Sequence, residues 1–376
     1  MNAIQEAYRL GQAMWLDYIR RGLLNSGEFQ QLIDQGISGV TSNPTIFEKV
    51  ISGSTDYDEA LLLLAGTDKS AIEIYETLAV EDIRAAADLL RPTYERTGGE
   101  HGYVSLEVNP LLASDTKATI EEARRLFATF DHSNVMLKVP ATPEGIPAIR
   151  RLISDGINVN VTLIFSLNIY QQVKEAYVAG LENLVKSGGN PGQVVSVASF
   201  FLSRIDTAVD TLLEERIHGG EEQLKDLPGN AALASAKLAY KAFKDTFYSE
   251  RFMALKAKGA RVQRPLWAST GTKNPAYSDV IYVEPLIDAD TVNTMTPATI
   301  NAFLEHGHVA ATLEQGLLEA EQTLTALGVA GVSLESITAR LLTDGVKAFV
   351  DSFEKLLSGI EEKKVRLLAK GHVHSG

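Results

Sequence analysis

Short apolar runs alternate with stretches of helical periodicity along almost the whole chain. The runs at 14–18, 37–42, 103–108, 135–139, 158–164, 194–199, 264–269 and 280–285 predict eight strands. Apolar positions at helical spacing over 72–90, 119–130, 143–154, 167–186 and 231–248 predict helices between them. The stretch 47–69 reads as extra helix inserted after the second strand, and 218–230 as a polar loop with glycines. Two further helices, 311–327 and 334–357, follow the eighth run and are expected to close over the barrel's end or pack on its outside. Repeated strand–helix alternation implies a parallel sheet, and eight units imply a closed (β/α)8 TIM barrel with extra helices, of the α/β class. An open doubly wound sheet is the alternative, but no Gly-x-Gly-x-x-Gly follows an early strand. No linker rich in Pro, Gly or Ser divides the chain, so residues 1–376 are expected to form one barrel domain with a flexible tail at 371–376.

Charge and composition narrow the function classes. The net charge of −13 argues against nucleic acid or anionic membranes as partners. It leaves anionic substrates open, because a local basic site can oppose the global field. There are no cysteines, hence no disulfide, thiolate metal site or cysteine nucleophile. The start of the chain, Met1-Asn2-Ala3-Ile4-Gln5-Glu6, lacks the basic and apolar regions of a signal peptide, and no apolar segment reaches spanning length. A cytoplasmic protein is expected, and a homo-oligomer stays open.

One strand carries a residue that burial penalises. Lys138 stands inside Val135-Met136-Leu137-Lys138-Val139-Pro140. An ammonium buried there is costly unless paired, and an amine relieved of its proton attacks carbonyls and forms Schiff bases. A lysine that snorkels to water at the strand's end, or one held in a structural ion pair, is the other reading.

In a barrel, active-site groups come from the C-terminal ends of several strands. Those ends offer Asp17, Thr41 and Asn43, Glu107, Lys138, Asn160 and Thr162, Ser199 and Ser269, in strand order one to seven. Singly, each has an ordinary reading: Asp17 caps a helix, Glu107 pairs with an arginine, Asn43-Pro44 turns the chain. Jointly they permit concrete chemistry. A neutral lysine forms an iminium with a ketone, an electron sink for carbon–carbon cleavage. One carboxylate takes the proton from the hydroxyl beside the breaking bond. A second carboxylate with a hydroxyl partner holds a proton-shuttling water, and asparagines and serines orient the substrate. No cofactor is required, and no metal cluster is expected, since the histidines lie mostly in loops or the tail without a His-Glu-x-x-His.

Arg204 follows the sixth strand, and Ser269-Thr270-Gly271-Thr272-Lys273-Asn274 is a small loop after the seventh. Loops after strands seven and eight are the usual phosphate site of barrels, and backbone N–H groups with Lys273 and Arg204 suit a phosphate. An ordinary turn and a helix-face salt bridge are the alternatives.

The stretch Gly39-Val40-Thr41-Ser42-Asn43-Pro44-Thr45-Ile46-Phe47 resembles the first transaldolase signature. Val135-Met136-Leu137-Lys138-Val139-Pro140-Ala141-Thr142-Pro143-Glu144-Gly145-Ile146-Pro147-Ala148-Ile149 resembles the second, and Asn158-Val159-Asn160-Val161-Thr162-Leu163-Ile164-Phe165-Ser166 the family's fifth strand. The resemblance runs from about Asp17 through the C-terminal helices and is to the longer bacterial type. It implies a barrel with a Schiff-base lysine on strand four and no cofactor. It implies transfer of a dihydroxyacetone unit from sedoheptulose 7-phosphate or fructose 6-phosphate to glyceraldehyde 3-phosphate or erythrose 4-phosphate, in the non-oxidative pentose phosphate pathway. Carried over, Lys138 forms the Schiff base, Asp17 is the acid/base, and Glu107 and Thr162 hold the catalytic water. Asn43 and Asn160 bind the donor's dihydroxyacetone end, with Thr41, Ser199 and Phe201 nearby, and Arg204 and Ser269 bind phosphate. Shorter transaldolases place an arginine just after the strand-seven serine; here Lys273 is expected to substitute, without a bidentate grip. Phe200 stands where a proline is common.

Two other functions fit these residues. One is a lyase cleaving fructose 6-phosphate without transfer; the apolar ring of Phe201 favours a protected intermediate and hence transfer. The other is a sugar-phosphate-binding barrel without catalysis, whose mark would be loss of Lys138, Asp17 or Glu107; all three are present.

Overall fold

The computed structural model describes residues 1–373. Its strands are β1 (Gln12–Leu16), β2 (Ile37–Thr41), β3 (Tyr103–Glu107), β4 (Val135–Pro140), β5 (Val159–Ile164), β6 (Ser196–Phe201), β7 (Arg264–Ala268) and β8 (Thr291–Met295). They run parallel in chain order, and β1 pairs with β8 to close a barrel. Helices cover the outside and side chains fill the inside, which is why β4 reads as Val-Met-Leu-Lys-Val-Pro with every position buried.

Strands one to seven form where the apolar runs predict them, within a few residues. The eighth does not. The segment 280–285 is irregular and ends in a 3-10 turn, Glu284–Leu286. Its apolar residues Val280, Tyr282 and Val283 are buried as packing: the Tyr282 hydroxyl donates to Asp206 at 2.8 Å, and its carbonyl accepts from Asn293 at 3.0 Å. The true strand, Thr-Val-Asn-Thr-Met, hides from a hydrophobicity reading because polar side chains with internal partners fill its buried positions. Thr291 donates to the Asp288 carbonyl at 2.6 Å and accepts from Gln12 at 3.0 Å.

The expected helices appear as Ala71–Arg96, Thr116–Phe130, Gly145–Ser154, Leu167–Lys186 and Ala231–Phe247. Two that periodicity did not single out, Ser203–His218 and Pro297–His306, follow β6 and β8. The insertion starts earlier than expected, as Pro44–Gly53 followed by Asp58–Ala65. The local cause is Asn43, whose side chain accepts from the Ile46 N–H at 3.0 Å while Pro44 takes the first helical position.

The segments expected at 311–327 and 334–357 are the helices Leu317–Val329 and Leu334–Val373. The latter runs into residues 371–373 of the anticipated tail; 374–376 lie outside the described residues. At 40 residues it is about 60 Å long. It crosses the C-terminal end of the barrel and packs along the inserted helices. Thr45 and Ser352 share a hydrogen bond at 2.9 Å, and Lys355 pairs with Glu48 at 3.0 Å. Lys363, 3% exposed, donates to the carbonyls of Ile51 (2.9 Å) and Ser54 (2.5 Å) and meets Asp58 at 2.6 Å. Gly359 permits this approach: a Cβ there would fall 2.5 Å from Ser52 Oγ. No single helix among the described residues is long and apolar enough to cross a membrane.

Candidate active site

The C-terminal ends of the strands surround a cavity of about 270 Å³. Of the residues expected there, Asp17, Thr41, Asn43, Lys138, Thr162, Ser199, Phe201, Arg204, Ser269 and Lys273 line it. Glu107 and Asn160 do not reach its wall.

Lys138 is 4% exposed. Its Nζ donates to the Ser42 carbonyl at 2.9 Å and lies 3.5 Å from Glu107 Oε2, an ion-pair contact long for a hydrogen bond. Glu107 lies beside it, on the wall of a separate cavity of about 190 Å³ shared with Tyr75, Pro110 and Phe353. Burial pushes the Glu107 carboxyl up to about 7, with Lys138 opposing the rise. Glu107 Oε2 and Thr162 Oγ1 are both buried without a hydrogen-bond partner, although Oε2 keeps its ion-pair contact with Lys138. Each has capacity left for a polar group.

Asp17 emerges just past β1, its N–H tied to the Met295 carbonyl at 2.8 Å. Thr41 donates to Asp17 Oδ1 at 2.7 Å. Having spent its proton there, Thr41 accepts from Thr294 at 2.8 Å. The chain Thr294–Thr41–Asp17 fixes one carboxylate oxygen at the cavity wall.

Asn160 lies beneath the cavity, not on it. Its amide donates to Ser105 Oγ at 3.1 Å, and its oxygen accepts from Ser199 at 2.6 Å. Fully buried, it stitches β3, β5 and β6 together under the lysine. Asn43 spends its side-chain oxygen on the helix cap, which leaves its NH2 group for the cavity.

Opposite the lysine, Arg204 stacks over the Phe201 ring at 5.6 Å, and Phe201 packs on Phe165 at 5.4 Å. Burial lowers the Arg204 guanidinium below its ordinary value, against the opposing pull of Asp17 and Glu107. Ser269 has φ of 54°, the left-handed region that a non-glycine residue enters at a cost of roughly 1–2 kcal/mol. The twist turns the chain out of β7 so that the hydroxyls of Ser269 and Ser203 meet at 2.9 Å beside Arg204. Among the described residues, Arg204, Lys273 and Lys49 make no salt bridge, so three unpaired cations ring the mouth of an acidic protein. Such a field draws anions inward.

Sequence reasoning missed Lys49, Thr294, Thr296 and Phe349, all on the cavity wall. Thr294 and Thr296 went unseen because the eighth strand was placed too early. Lys49 lies in what read as an outer insertion. Phe349, on the helix Leu334–Val373, roofs the cavity with its ring 6.0 Å from Lys138 Nζ. On the same helix Gly345 packs on Leu163, where a Cβ would stand 3.1 Å from Leu163 Cδ2.

Comparison with known proteins agrees with this architecture. The chain is 47% identical to the transaldolase of Thiobacillus denitrificans over 361 residues, covering 96% of this chain and 100% of that protein. It is 46% identical to the transaldolase of Saccharopolyspora erythraea over 355 residues, 94% of this chain and 95% of that one. With the transaldolase of Trichodesmium erythraeum it shares 43% over 374 residues, 97% and 98% of the two chains. The sequence pattern of the family described as Transaldolase/Fructose-6-phosphate aldolase matches residues 14–360, which takes in all eight strands but the first two residues of β1. By that match and by these near full-length identities, the chain belongs to the transaldolase/fructose-6-phosphate aldolase family.

Proposed function

We propose that the protein is a transaldolase that moves a dihydroxyacetone unit between sugar phosphates through a Schiff base on Lys138, as a step of the non-oxidative pentose phosphate pathway. The observation that carries this reading is the buried Lys138 amine opening into the cavity lined by Asp17 and Thr162, with Glu107 Oε2 3.5 Å from it.

A proton passed from Lys138 to Glu107 leaves a free amine, which attacks the ketone carbon of fructose 6-phosphate or sedoheptulose 7-phosphate. The carbinolamine loses water, with Glu107 and Thr162 holding that water and moving its protons. Asp17, held by Thr41, takes the proton of the C4 hydroxyl as the C3–C4 bond breaks. The aldose phosphate departs, and the electron pair rests in the enamine on Lys138. Attack of that enamine on glyceraldehyde 3-phosphate or erythrose 4-phosphate, with Asp17 returning the proton, forms the new bond. Hydrolysis then frees the product. Arg204, Ser269 and Lys273 suit the phosphate, and Asn43, Thr41 and Ser199 the hydroxyls of the bound unit. Asn160 acts through Ser105 and Ser199, setting the floor under the reacting carbon.

The family name also admits a lyase that hands the enamine to water. The rings of Phe201 and Phe349 over the site limit water and favour transfer. Reduction with borohydride in the presence of fructose 6-phosphate, followed by peptide mass spectrometry, tests the reading. A dihydroxyacetone adduct on the Lys138 peptide is expected; an unmodified peptide from folded protein overturns the mechanism.

A further inference from the structure

The opposite, N-terminal end of the barrel holds another cavity, of about 310 Å³, whose wall includes Lys256, Arg261, Arg264, Glu100 and Asp290. Arg264 opens β7 and is 5% exposed. Its guanidinium donates to the Glu100 carbonyl at 2.8 Å and to His101 Nδ1 at 3.2 Å. Both acceptors are neutral: burial, reinforced by the charge of Arg264, pushes His101 down to about 3. With Nδ1 accepting, the imidazole proton sits on Nε2. Among the described residues no carboxylate comes within ion-pair distance of Arg264, Arg261 or Lys256, and a buried charge left unpaired is costly. Asp290 Oδ2 accepts from the Tyr248 hydroxyl at 3.0 Å, and the Asp290 charge acts on Arg264 from a distance. Arg261 is held at the rim by the Gly98 carbonyl at 2.6 Å, while Lys256 is exposed. Three cations thus face two carboxylates, an excess of positive charge on a chain of net charge −13.

Residues at this face of a barrel ordinarily serve stability. Glu100 and Asp290 offset part of the Arg264 charge, but a purely structural plug has no use for two more cations around a buried arginine that makes no ion pair. We propose that this cavity is a second anion site, separate from the mouth, which takes a phosphate-bearing small molecule. Two of the five Arg264 N–H groups go to Glu100 and His101; the others supply donors to phosphate oxygens, and Arg261 and Lys256 close on the remaining charge. The proposal is independent of the function assigned to the mouth.

Calorimetric titration tests it, with inorganic phosphate and, in a parallel arm, glucose 6-phosphate. An Arg204→Gln background weakens binding at the mouth. Saturable binding is expected to persist in Arg204→Gln and to weaken about tenfold or more once Lys256→Gln and Arg261→Gln are added, as expected for loss of charge-assisted donors. The tighter-binding arm identifies free phosphate or an ester as the ligand. Absence of saturable binding in Arg204→Gln, or binding unchanged by the two added substitutions, overturns the site. Circular dichroism of each variant confirms the fold; Lys256 and Arg261 lie at the rim, so both substitutions leave the core untouched.

Discussion

Lys138 and Glu107 are register partners on β4 and β3, and their charged ends meet at 3.5 Å in an interior where both side chains are nearly inaccessible. Glu107, raised to about 7 by burial, accepts a proton readily at neutral pH. In the proposed mechanism the pair divides one acid–base task between a nucleophile and its proton acceptor. Lys138→Ala removes the nucleophile and leaves a carboxyl that burial already favours in its neutral form. The variant is expected to fold, to lose turnover to background, and to show no borohydride-dependent adduct. Measurable transfer by Lys138→Ala sinks the mechanism.

Glu107→Gln removes the group that changes protonation near pH 7. Turnover is expected to fall by roughly two to four powers of ten, the usual worth of acid–base catalysis. The limb of the rate profile near neutrality is expected to vanish with it. A limb that survives the substitution assigns that titration to another group.

Arg204 and Lys273 face the same cavity with different geometry. Arg204→Gln is expected to raise KM for phosphorylated sugars about tenfold or more, with a smaller change in kcat. Lys273→Gln, at an exposed point charge, is expected to raise it less. Steady-state kinetics with fructose 6-phosphate distinguish the two, and equal effects would show that the loop after β7 grips phosphate as firmly as Arg204.

Phe349 roofs the lysine. Phe349→Ala admits water to the enamine without touching the reacting groups. With donor and acceptor both present, release of free dihydroxyacetone is expected to rise several-fold relative to transfer. The product ratio, read by chromatography, gives the answer; an unchanged ratio shifts the water barrier to Phe201.

Asp206 offers a stability test away from the reaction. Burial raises its carboxyl to about 6, although the Ala232 N–H and the Tyr282 hydroxyl oppose the rise. Its native value lies above the unfolded one, so its contribution is full below about pH 4 and is lost as pH climbs through about 6. Asp206→Asn cannot ionise. The stability of that variant relative to native protein is expected to grow by up to about 3 kcal/mol across this window, by urea titration at each pH. A difference independent of pH would show that Asp206 titrates normally.

The barrel was legible because parallel strands buried on both faces leave near-continuous apolar runs, and Lys138 stood out as a cation in the middle of such a run. Asp17, Thr41 and Thr162 followed from the rule that site residues gather at strand ends. β8 escaped because its buried threonines have partners remote in sequence, Gln12 for Thr291 and Thr41 for Thr294. Hydropathy counts such residues as polar; the fold treats them as core. Glu107 was recognised, but that it lies beside the lysine and not on the cavity wall depends on side-chain direction, which a linear pattern does not carry. Phe349 was legible only as one apolar position on an amphipathic helix, because the face that meets the mouth is chosen by tertiary packing.

The roofing helix also bears on the order of folding. Its anchors join residues far apart in sequence, Thr45 to Ser352 and Lys363 to Ile51, with separations of 307 and 312. Closure of the barrel itself joins Gln12 to Thr291 at a separation of 279. Because loop entropy grows only with the logarithm of length, ceiling and barrel close at nearly the same cost. The ceiling is therefore no late ornament: the same near-complete chain that seals the sheet is needed to shelter its lysine.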